Sequence, residues 1–223
     1  MAIISFRYNL IFVKTSKTAG TSIEVDLGQR VEDDAIVTPI LPPSSRHVPR
    51  NFESEGGRFY NHMTAIEIRE ILGPEQFSGM FKFCVEREPV SKCISHFHML
   101  RNSPLHVTPQ TVDLSWDAYC EQGRFPVDHR KYSEVVDGTR RVIVDRILNY
   151  DRLQQDLPGV LATLGIDGFR LIAREKSEYA RRSFISPDRV TQSQRAAIYG
   201  AFSETLRLAG GALGLTGIAG DGA

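Results

Sequence analysis

Short apolar runs alternate with segments of helical periodicity along this chain. Residues 10–13 and 81–85 form apolar runs of the kind found in strands that are buried on both faces. Between these runs, Ile23 and Leu27 recur at helical spacing, and residues 64–67 have the spacing of a helix-capping box. Strands that alternate with helices pack as a mainly parallel sheet. We therefore predict an α/β fold with a central, mainly parallel sheet flanked by helices.

The remainder of the chain continues this alternation. We predict further strands near residues 142–148 and 169–172, and helices over residues 89–100, 116–121, 151–164 and 191–208. Residues 39–57 and 102–113 show no period and are expected to be long surface loops. A single domain is predicted over residues 1–210, and the Gly- and Ala-rich tail 211–223 is expected to fray.

Length, charge and cysteine content narrow the class of protein. A chain of 223 residues suits one domain with a buried core. Because 27 Lys and Arg residues balance 27 Asp and Glu residues, overall charge favours neither nucleic acid nor an anionic membrane as a partner. The three cysteines have no metal-ligand spacing, and their odd number fits a reducing compartment. No apolar run reaches the ~18 residues of a membrane span and no signal peptide is evident, so we expect a cytoplasmic protein.

A loop suited to binding an anion follows the first predicted strand. It consists of Lys17, Thr18, Ala19, Gly20, Thr21 and Ser22. Backbone N–H groups at such a turn and helix start point outward together, Lys17 adds a positive charge, and the Thr21 and Ser22 hydroxyls can donate to phosphate oxygens. Gly20 is expected to let the backbone approach the anion closely. The alternative interpretation is that Thr and Ser merely cap a helix.

This loop differs from the G-x-x-x-x-G-K-[ST] motif of nucleotide triphosphatases. The lysine precedes the glycine, and the first glycine of that motif is missing. The loop is therefore not the phosphate-binding loop of those enzymes.

A second candidate site follows the second predicted core strand. Arg87 stands at the carboxyl end of that strand, where open α/β sheets bind ligands. If Pro89 begins a helix, Ser95 lies ~9 Å along it. A phosphate near the helix start could then take a forked contact from Arg87 and a hydrogen bond from Ser95. A salt bridge between Arg87 and a nearby acid would explain this spacing equally well.

Taken together, the two motifs resemble those of sulfotransferases that use 3′-phosphoadenosine 5′-phosphosulfate (PAPS). The likeness is to the carbohydrate-modifying branch, which includes the uronyl 2-O-sulfotransferases. Members carry P-K-T-x-G-T-S and R-x-P-x-x-R-x-x-S, where this chain has S-K-T-A-G-T-S and R-E-P-V-S-K-C-I-S. Ser16 replaces the usual proline and Lys92 the usual arginine. The likeness continues through I-S-H-F-H-M-L-R-N and fades after about Leu164.

The resemblance implies a P-loop-like three-layer fold and a specific reaction. The sulfuryl group of PAPS would pass to an acceptor hydroxyl on a carbohydrate or glycoconjugate, with 3′,5′-adenosine bisphosphate (PAP) as the product and no metal. Lys17 would bind the bridging oxygen of the donor and stabilise the leaving phosphate, while residues 18–22 cradle its 5′ end. Arg87 and Ser95 would hold the 3′-phosphate.

His62 is the candidate for the general base. The 2-O-sulfotransferases carry a histidine at a comparable distance before the arginine motif, and it is assigned there as the base. Histidine suits this role because its unperturbed pKa lies near neutrality. The alternative is that His62, close before the predicted capping box, makes an ordinary hydrogen bond at a helix start.

The remaining candidates carry weaker signals. Arg181 and Arg182 fall where related enzymes place a loop near the donor or an acidic acceptor, so they are candidate substrate contacts or else part of a solvated surface. His96 and His98 are expected to be packing or surface residues. No cluster of His, Cys or carboxylates in the sequence predicts a metal site.

Two other classes of function remain open. A small kinase that uses ATP and Mg²⁺ could hold the metal with Glu86 or Asp145, although it would lack the triphosphatase loop. A binding protein could have kept the nucleotide pocket and lost catalysis. Against that class, Lys17, Arg87 and His62 are all present.

Overall fold

The computed structural model of the chain describes residues 2–54, 57–175 and 183–215. The chain forms two compact units, of which the first comprises Met1–Glu86 and Asp128–Arg174 and the second Arg87–Val127 and Glu175–Ala223. Within the described ranges, no helix is both long and apolar enough to cross a membrane. Of the tail predicted over 211–223, residues 216–223 lie outside the described part of the chain.

The helices and strands follow one another in an α/β order. The strands, all in the first unit, are β1 (Ala2–Ser5), β2 (Leu10–Val13), β3 (Ile36–Val37), β4 (Glu53–Ser54), β5 (Gly57–Arg58), β6 (Phe81–Glu86), β7 (Ser133–Val136), β8 (Thr139–Val142) and β9 (Arg146–Asn149). The helices are α1 (Gly20–Gly28), α2 (Ala65–Leu72), α3 (Pro74–Gly79), α4 (Pro89–Asn102), α5 (Trp116–Gln122), α6 (Leu153–Thr163), α7 (Gln192–Ala201) and α8 (Ser203–Leu213). Helices α4, α5, α7 and α8 belong to the second unit.

The first unit is built on a five-stranded sheet with the order β3-β1-β2-β6-β9. Strands β2, β6 and β9 run parallel, with Leu10 opposite Phe81 and Phe83 opposite Arg146. Strand β1 is antiparallel to both of its neighbours, β2 and β3. The predicted α/β class with a mainly parallel central sheet is thereby confirmed.

Alternate residues of the strands supply two cores of the first unit. Ile3, Phe12 and Phe83 face the core that includes the apolar residues of α1 and α6, whereas Ile11 and Cys84 face the core that includes those of α2 and α3. This alternation is the period of two that a pleated strand imposes. Because both faces are covered, the central strand β2 is apolar throughout, as its sequence indicated.

Two side chains hold α1, the helix that follows the anion-binding loop. The Arg50 guanidinium donates through Nη2 to the backbone carbonyl of Gly28 at the carboxyl end of the helix and to that of Glu32 in the segment after it. Asp26, within α1, accepts from the backbone N–H groups of Ile172 and Ala173, each at 2.6 Å. Helix α1 is therefore fastened both by the loop after it and by a segment late in the chain.

The second unit has an aromatic core of its own. The Phe97 ring of α4 lies 5.4 Å from the Trp116 ring and 5.5 Å from the Tyr119 ring, both of α5. His96 contacts the Tyr119 hydroxyl at 3.0 Å, and His98 accepts from a backbone N–H at 3.1 Å, so both histidines pack within this unit.

Several predicted elements differ in the structure. Strand β1 was not predicted as a separate strand, and residues 169–172 form no strand. The helix predicted over 191–208 is two helices that meet at Phe202, whose φ of −92° and ψ of 9° are not helical. Pro158 lies inside α6, which continues through it.

Candidate active site

The loop between β2 and α1 contains two residues in the left-handed backbone conformation. Lys17 has φ 62° and Ala19 has φ 58°, while Thr18 between them does not have a positive φ. Non-glycine residues adopt this conformation rarely, and such residues are enriched at functional sites. Alternation between left-handed and other conformations turns successive N–H groups toward one point, which is the geometry of a backbone anion site.

The amino terminus of α1 has no side-chain cap. Ala19 occupies the N-cap position and makes no side-chain hydrogen bond to the helix. Helix α2, by contrast, begins with the predicted capping box, in which Thr64 accepts from the N–H of Glu67. Uncapped N–H groups and the helix dipole together favour an anion at the start of α1.

Threonine side chains fasten the loop to the central sheet. The Thr15 hydroxyl lies 2.9 Å from that of Thr18 and also donates to the backbone carbonyl of Val85, near the carboxyl end of β6. Thr18 donates in turn to the Thr15 carbonyl at 3.2 Å. The loop is thus held at the carboxyl edge of the parallel strands, the edge at which ligands bind in open α/β sheets.

Gly20 is needed for space on the protein side of the loop. A Cβ atom at this position would lie 2.6 Å from Cγ and 2.8 Å from Cε of Lys14. Gly20 is not among the glycines with positive φ, so its conformation would be open to other residues. The lysine stem that lies against the first turn of α1 therefore accounts for this glycine, in addition to the approach of an anion that the sequence suggested.

A carboxylate joins the loop to a second lysine. Asp128 accepts from the backbone N–H of Ser16 at 2.7 Å and from its hydroxyl at 3.2 Å, and forms an ion pair with Lys131 at 2.6 Å. Lys131 also contacts the Ser16 hydroxyl at 3.3 Å. A proline at position 16 would have no N–H to donate. The departure from the sulfotransferase motif at Ser16 therefore coincides with a contact that only a non-proline residue can make.

His62 is linked to the loop through the same lysine. Its Nδ1 lies 3.3 Å from Nζ of Lys131, and its backbone has φ 67°, a third left-handed residue at this site. Burial, followed by the positive charges of Lys131 and Lys14, lowers the pKa of His62 from 6.5 to about 2. His62 is therefore neutral at physiological pH.

The second candidate site lies at the start of α4, in the second unit. Nε of Arg87 donates to the Ser91 hydroxyl at 2.9 Å. Ser95 is half-buried one helical turn beyond Ser91, so the two hydroxyls share a face of the helix. Pro89 begins α4 as predicted.

Glu88 caps α4 with its own carboxylate. It accepts from the N–H groups of Val90 at 3.0 Å and Ser91 at 2.7 Å, and its Oε1 also accepts from the Tyr199 hydroxyl at 2.8 Å. The helix N–H groups are thus already bonded to an acid. A phosphate at this site would depend on the side chains of Arg87 and Ser95, without those N–H groups.

Lys92, the second departure from the sulfotransferase motifs, is completely buried within the second unit. Its ammonium lies 5.9 Å from the centre of the Phe202 ring, in cation–π contact. The position is therefore part of the packing of α4.

The predictions from sequence missed three charged residues of this site. Lys14, Asp128 and Lys131 all contact loop residues but belong to no recognised motif. The predicted substrate contacts Arg181 and Arg182 lie outside the described residues.

The carboxylates considered for a metal site have other positions. Asp145 accepts from the backbone N–H of Lys82 at 2.7 Å and pairs with its ammonium at 3.0 Å, at the amino end of β6 and so at the edge away from the loop. Glu86 is completely buried at the other end of β6. Within residues 2–54, 57–175 and 183–215, no group of three or more His, Cys, Asp or Glu residues is placed to hold a metal ion.

Comparison with solved structures gives distant likenesses. No family model and no curated protein matches the sequence. The chain is similar to the crystal structure of mouse sulfotransferase SULT7A1 complexed with PAP, with a TM-score of 0.46 and 16% sequence identity, over 89% of this chain and 84% of that one.

Proposed function

We propose that this protein is a sulfotransferase that moves the sulfuryl group of PAPS to a hydroxyl of a carbohydrate or glycoconjugate. The observation that carries the proposal is the loop after β2, where Lys17 lies in a turn of alternating conformation directly before the uncapped start of α1. Such a turn offers N–H groups and a positive charge to one anionic group. Its sequence, S-K-T-A-G-T-S, fits a 5′-phosphosulfate better than a triphosphate.

The proposed reaction is an in-line displacement at sulfur. The acceptor oxygen forms a bond to sulfur while the bond from sulfur to the bridging oxygen breaks, which leaves PAP and the sulfated acceptor. Lys17 and the start of α1 stabilise the negative charge that develops on the leaving phosphate. Positioning and charge stabilisation suffice for this chemistry, and the proposal includes no metal.

His62 is proposed to take the proton of the acceptor hydroxyl. A neutral imidazole is the form that can accept a proton, and the lowered pKa keeps His62 in that form. Lys131 contacts Nδ1 of His62, however. The ammonium group of Lys131 therefore has to move away from Nδ1 before Nδ1 can accept a proton. We propose that Lys131 turns toward the negative oxygens of the bound donor, which frees Nδ1 and raises the pKa of His62.

Arg87 and Ser95 are proposed to bind the 3′-phosphate of the donor. Since Glu88 already occupies the N–H groups of α4, the guanidinium and the hydroxyl supply the binding energy. Ser91 orients Arg87 by accepting from its Nε.

Calorimetric titration with PAP, in the absence of metal, tests the proposal. We expect the protein to bind PAP more tightly than ATP with Mg²⁺, and the Arg87→Ala variant to bind PAP at least about tenfold more weakly. Arg124→Ala removes an exposed arginine of the same unit and serves as the matched control. Lys17→Ala should lower turnover on a hydroxyl acceptor by about 10²-fold, as for other groups that stabilise developing charge.

Two outcomes would contradict the proposal. Tighter binding of ATP with Mg²⁺ than of PAP would indicate a phosphotransferase. Tight PAP binding with no turnover across a panel of carbohydrate and glycolipid acceptors would indicate a nucleotide-binding protein without catalysis.

A further inference from the structure

Lys14 is a buried cation directly beneath the loop. It follows β2 immediately, and only 5% of its side chain is exposed. Its Nζ donates to the Thr21 hydroxyl oxygen at 3.0 Å and pairs with Oε2 of Glu24 at 2.9 Å. A lysine is rarely buried to this extent unless it is paired, and here one acid and one hydroxyl of α1 provide the partners.

The chemistry of lysine fixes the direction of the bond to Thr21. An ammonium group has three hydrogens and no lone pair, so Lys14 donates and Thr21 accepts. A hydroxyl has one hydrogen and two acceptor positions. With one acceptor position taken by Lys14, the hydrogen of Thr21 points away from the ammonium and is left to donate to a different group.

We infer that Lys14 is a positioning residue that holds the Thr21 hydroxyl as a hydrogen-bond donor toward the anionic 5′ end of the bound donor. The inference rests on the function proposed above and adds to it a residue outside the recognised motif. The aliphatic part of the Lys14 side chain also fills the space beside Gly20, so Lys14 packs directly against the first turn of α1.

Glu24 allows this lysine to be buried, at a cost to anion binding. The Glu24 side chain is completely buried, and its Oε1 has no hydrogen-bond partner among the described residues. Its negative charge neutralises Lys14 and repels an anion bound at the loop, and such repulsion is weakly screened in a buried site. Loss of the Glu24 charge should therefore lower stability and strengthen anion binding together.

A double-mutant cycle between Lys14 and Thr21, with PAP as the probe, tests the positioning role. Lys14→Met and Thr21→Val should each weaken PAP binding by about tenfold, the typical effect of one charge-assisted hydrogen bond. The double variant should be little weaker than Thr21→Val alone, because without the Thr21 hydroxyl Lys14 has nothing to orient. Thr21→Ser retains the hydroxyl and should bind nearly as the unmodified protein does. If the factors by which Lys14→Met and Thr21→Val weaken PAP binding multiply in the double variant, the inference is overturned.

Glu24→Gln separates positioning from a purely structural role. We expect this variant to bind PAP several-fold more tightly while its urea midpoint falls, because Lys14 is then no longer neutralised. A structural role alone would lower both the PAP affinity and the urea midpoint. Weaker PAP binding by Glu24→Gln would therefore contradict the inference. If the Lys14→Met variant does not fold, a variant with both Lys14→Met and Glu24→Gln removes the two buried charges together. That variant then replaces Lys14→Met in the cycle with Thr21→Val.

The two proposals fail in different ways. If the unmodified protein does not bind PAP, the proposed function is wrong and the role inferred for Lys14 is lost with it. If the unmodified protein binds PAP but the effects at Lys14 and Thr21 multiply, the proposed function stands and only the inference about Lys14 is wrong.

Discussion

The ammonium nitrogen of Lys131 lies 3.3 Å from Nδ1 of His62. Since lysine can only donate, Nδ1 is the acceptor, and the proton of the neutral imidazole is assigned to Nε2. Asp128 holds the same ammonium at 2.6 Å and also binds the backbone of Ser16. The candidate base and the anion-binding loop are therefore connected through a single side chain, and a change in the position of Lys131 affects both.

Replacement of Lys131 by methionine should raise the pKa of His62. After burial, the Lys131 charge is the largest cause of the lowered pKa, and it acts across a direct contact. The measurement is an NMR titration of the His62 ring protons. The pKa that it gives should move from about 2 toward 6.5. Lys131→Arg keeps the charge and is the control. A His62 titration unchanged in Lys131→Met would show that the Lys131 charge does not lower the pKa of His62.

The lowered pKa of His62 should make the protein less stable in acid. The folded state keeps His62 neutral down to a pH of about 2, whereas the unfolded chain binds a proton near pH 6.5. The unfolded state therefore binds more protons between these values, so this contribution to stability is present above pH 6.5 and is lost as the pH falls toward 2.

Urea unfolding at pH 7 and pH 5 measures this contribution. His62→Gln should reduce the loss of unfolding free energy between the two pH values by at most about 2 kcal/mol. If His62→Gln and the unmodified protein lose the same stability, His62 is not held neutral in the folded state.

Two substitutions at Ser16 should differ in their effect on stability. Ser16→Ala removes the weaker hydroxyl contact to Asp128 and retains the 2.7 Å bond from the backbone N–H. Ser16→Pro removes that N–H, and the loss of a hydrogen bond to a buried carboxylate costs about 1–3 kcal/mol. The urea midpoint of Ser16→Pro should therefore be lower than that of Ser16→Ala. Equal midpoints would mean that the N–H bond does not contribute to stability.

Alanine should be tolerated at one end of α1 and not at the other. At Gly20 the new Cβ would lie 2.6 Å from Cγ of the buried Lys14, and overpacking of this kind costs about 1–3 kcal/mol. At Gly28 the nearest atom would be Cγ1 of Val37 at 3.6 Å, an ordinary contact, and alanine can gain up to about 1 kcal/mol in a helix. In thermal unfolding, the Tm should fall in Gly20→Ala and rise in Gly28→Ala. A Gly20→Ala variant with an unchanged Tm would mean that Lys14 can move away from the new Cβ.

Much of the scaffold was predictable because its signals are local. The apolar runs at 10–13 and 81–85 became β2 and β6, the capping box at Thr64 is formed, and Pro89 begins α4. Each of these depends on residues within a few positions of one another. The loop between β2 and α1 was recognised for the same reason, since its lysine, glycine and hydroxyls are contiguous.

The remainder of the site depends on partners that the sequence does not mark. Asp128 and Lys131 lie 112 and 115 residues from Ser16 and contact it only after the chain has folded. Lys14 would ordinarily be expected at the surface, and its burial follows from pairing with Glu24 across the first turns of α1. Strand β1 was missed because only four residues separate it from β2 in a run that looked like one lead-in.

The contact of Asp26 with Ile172 and Ala173 has a consequence for the nascent chain. The loop and α1 leave the ribosome well before residues 172 and 173, yet Oδ2 of the acid in the last turn of that helix receives its backbone N–H donors from those two residues, 146 and 147 positions later. Arg46 can pair with Oδ1 of Asp26 earlier, but until residues 172 and 173 emerge Oδ2 has to stay hydrated, and α1 cannot settle fully against the sheet. The anion-binding loop is therefore completed late in translation, so a chain truncated before residue 172 would carry its recognisable motif without the support that holds it in place.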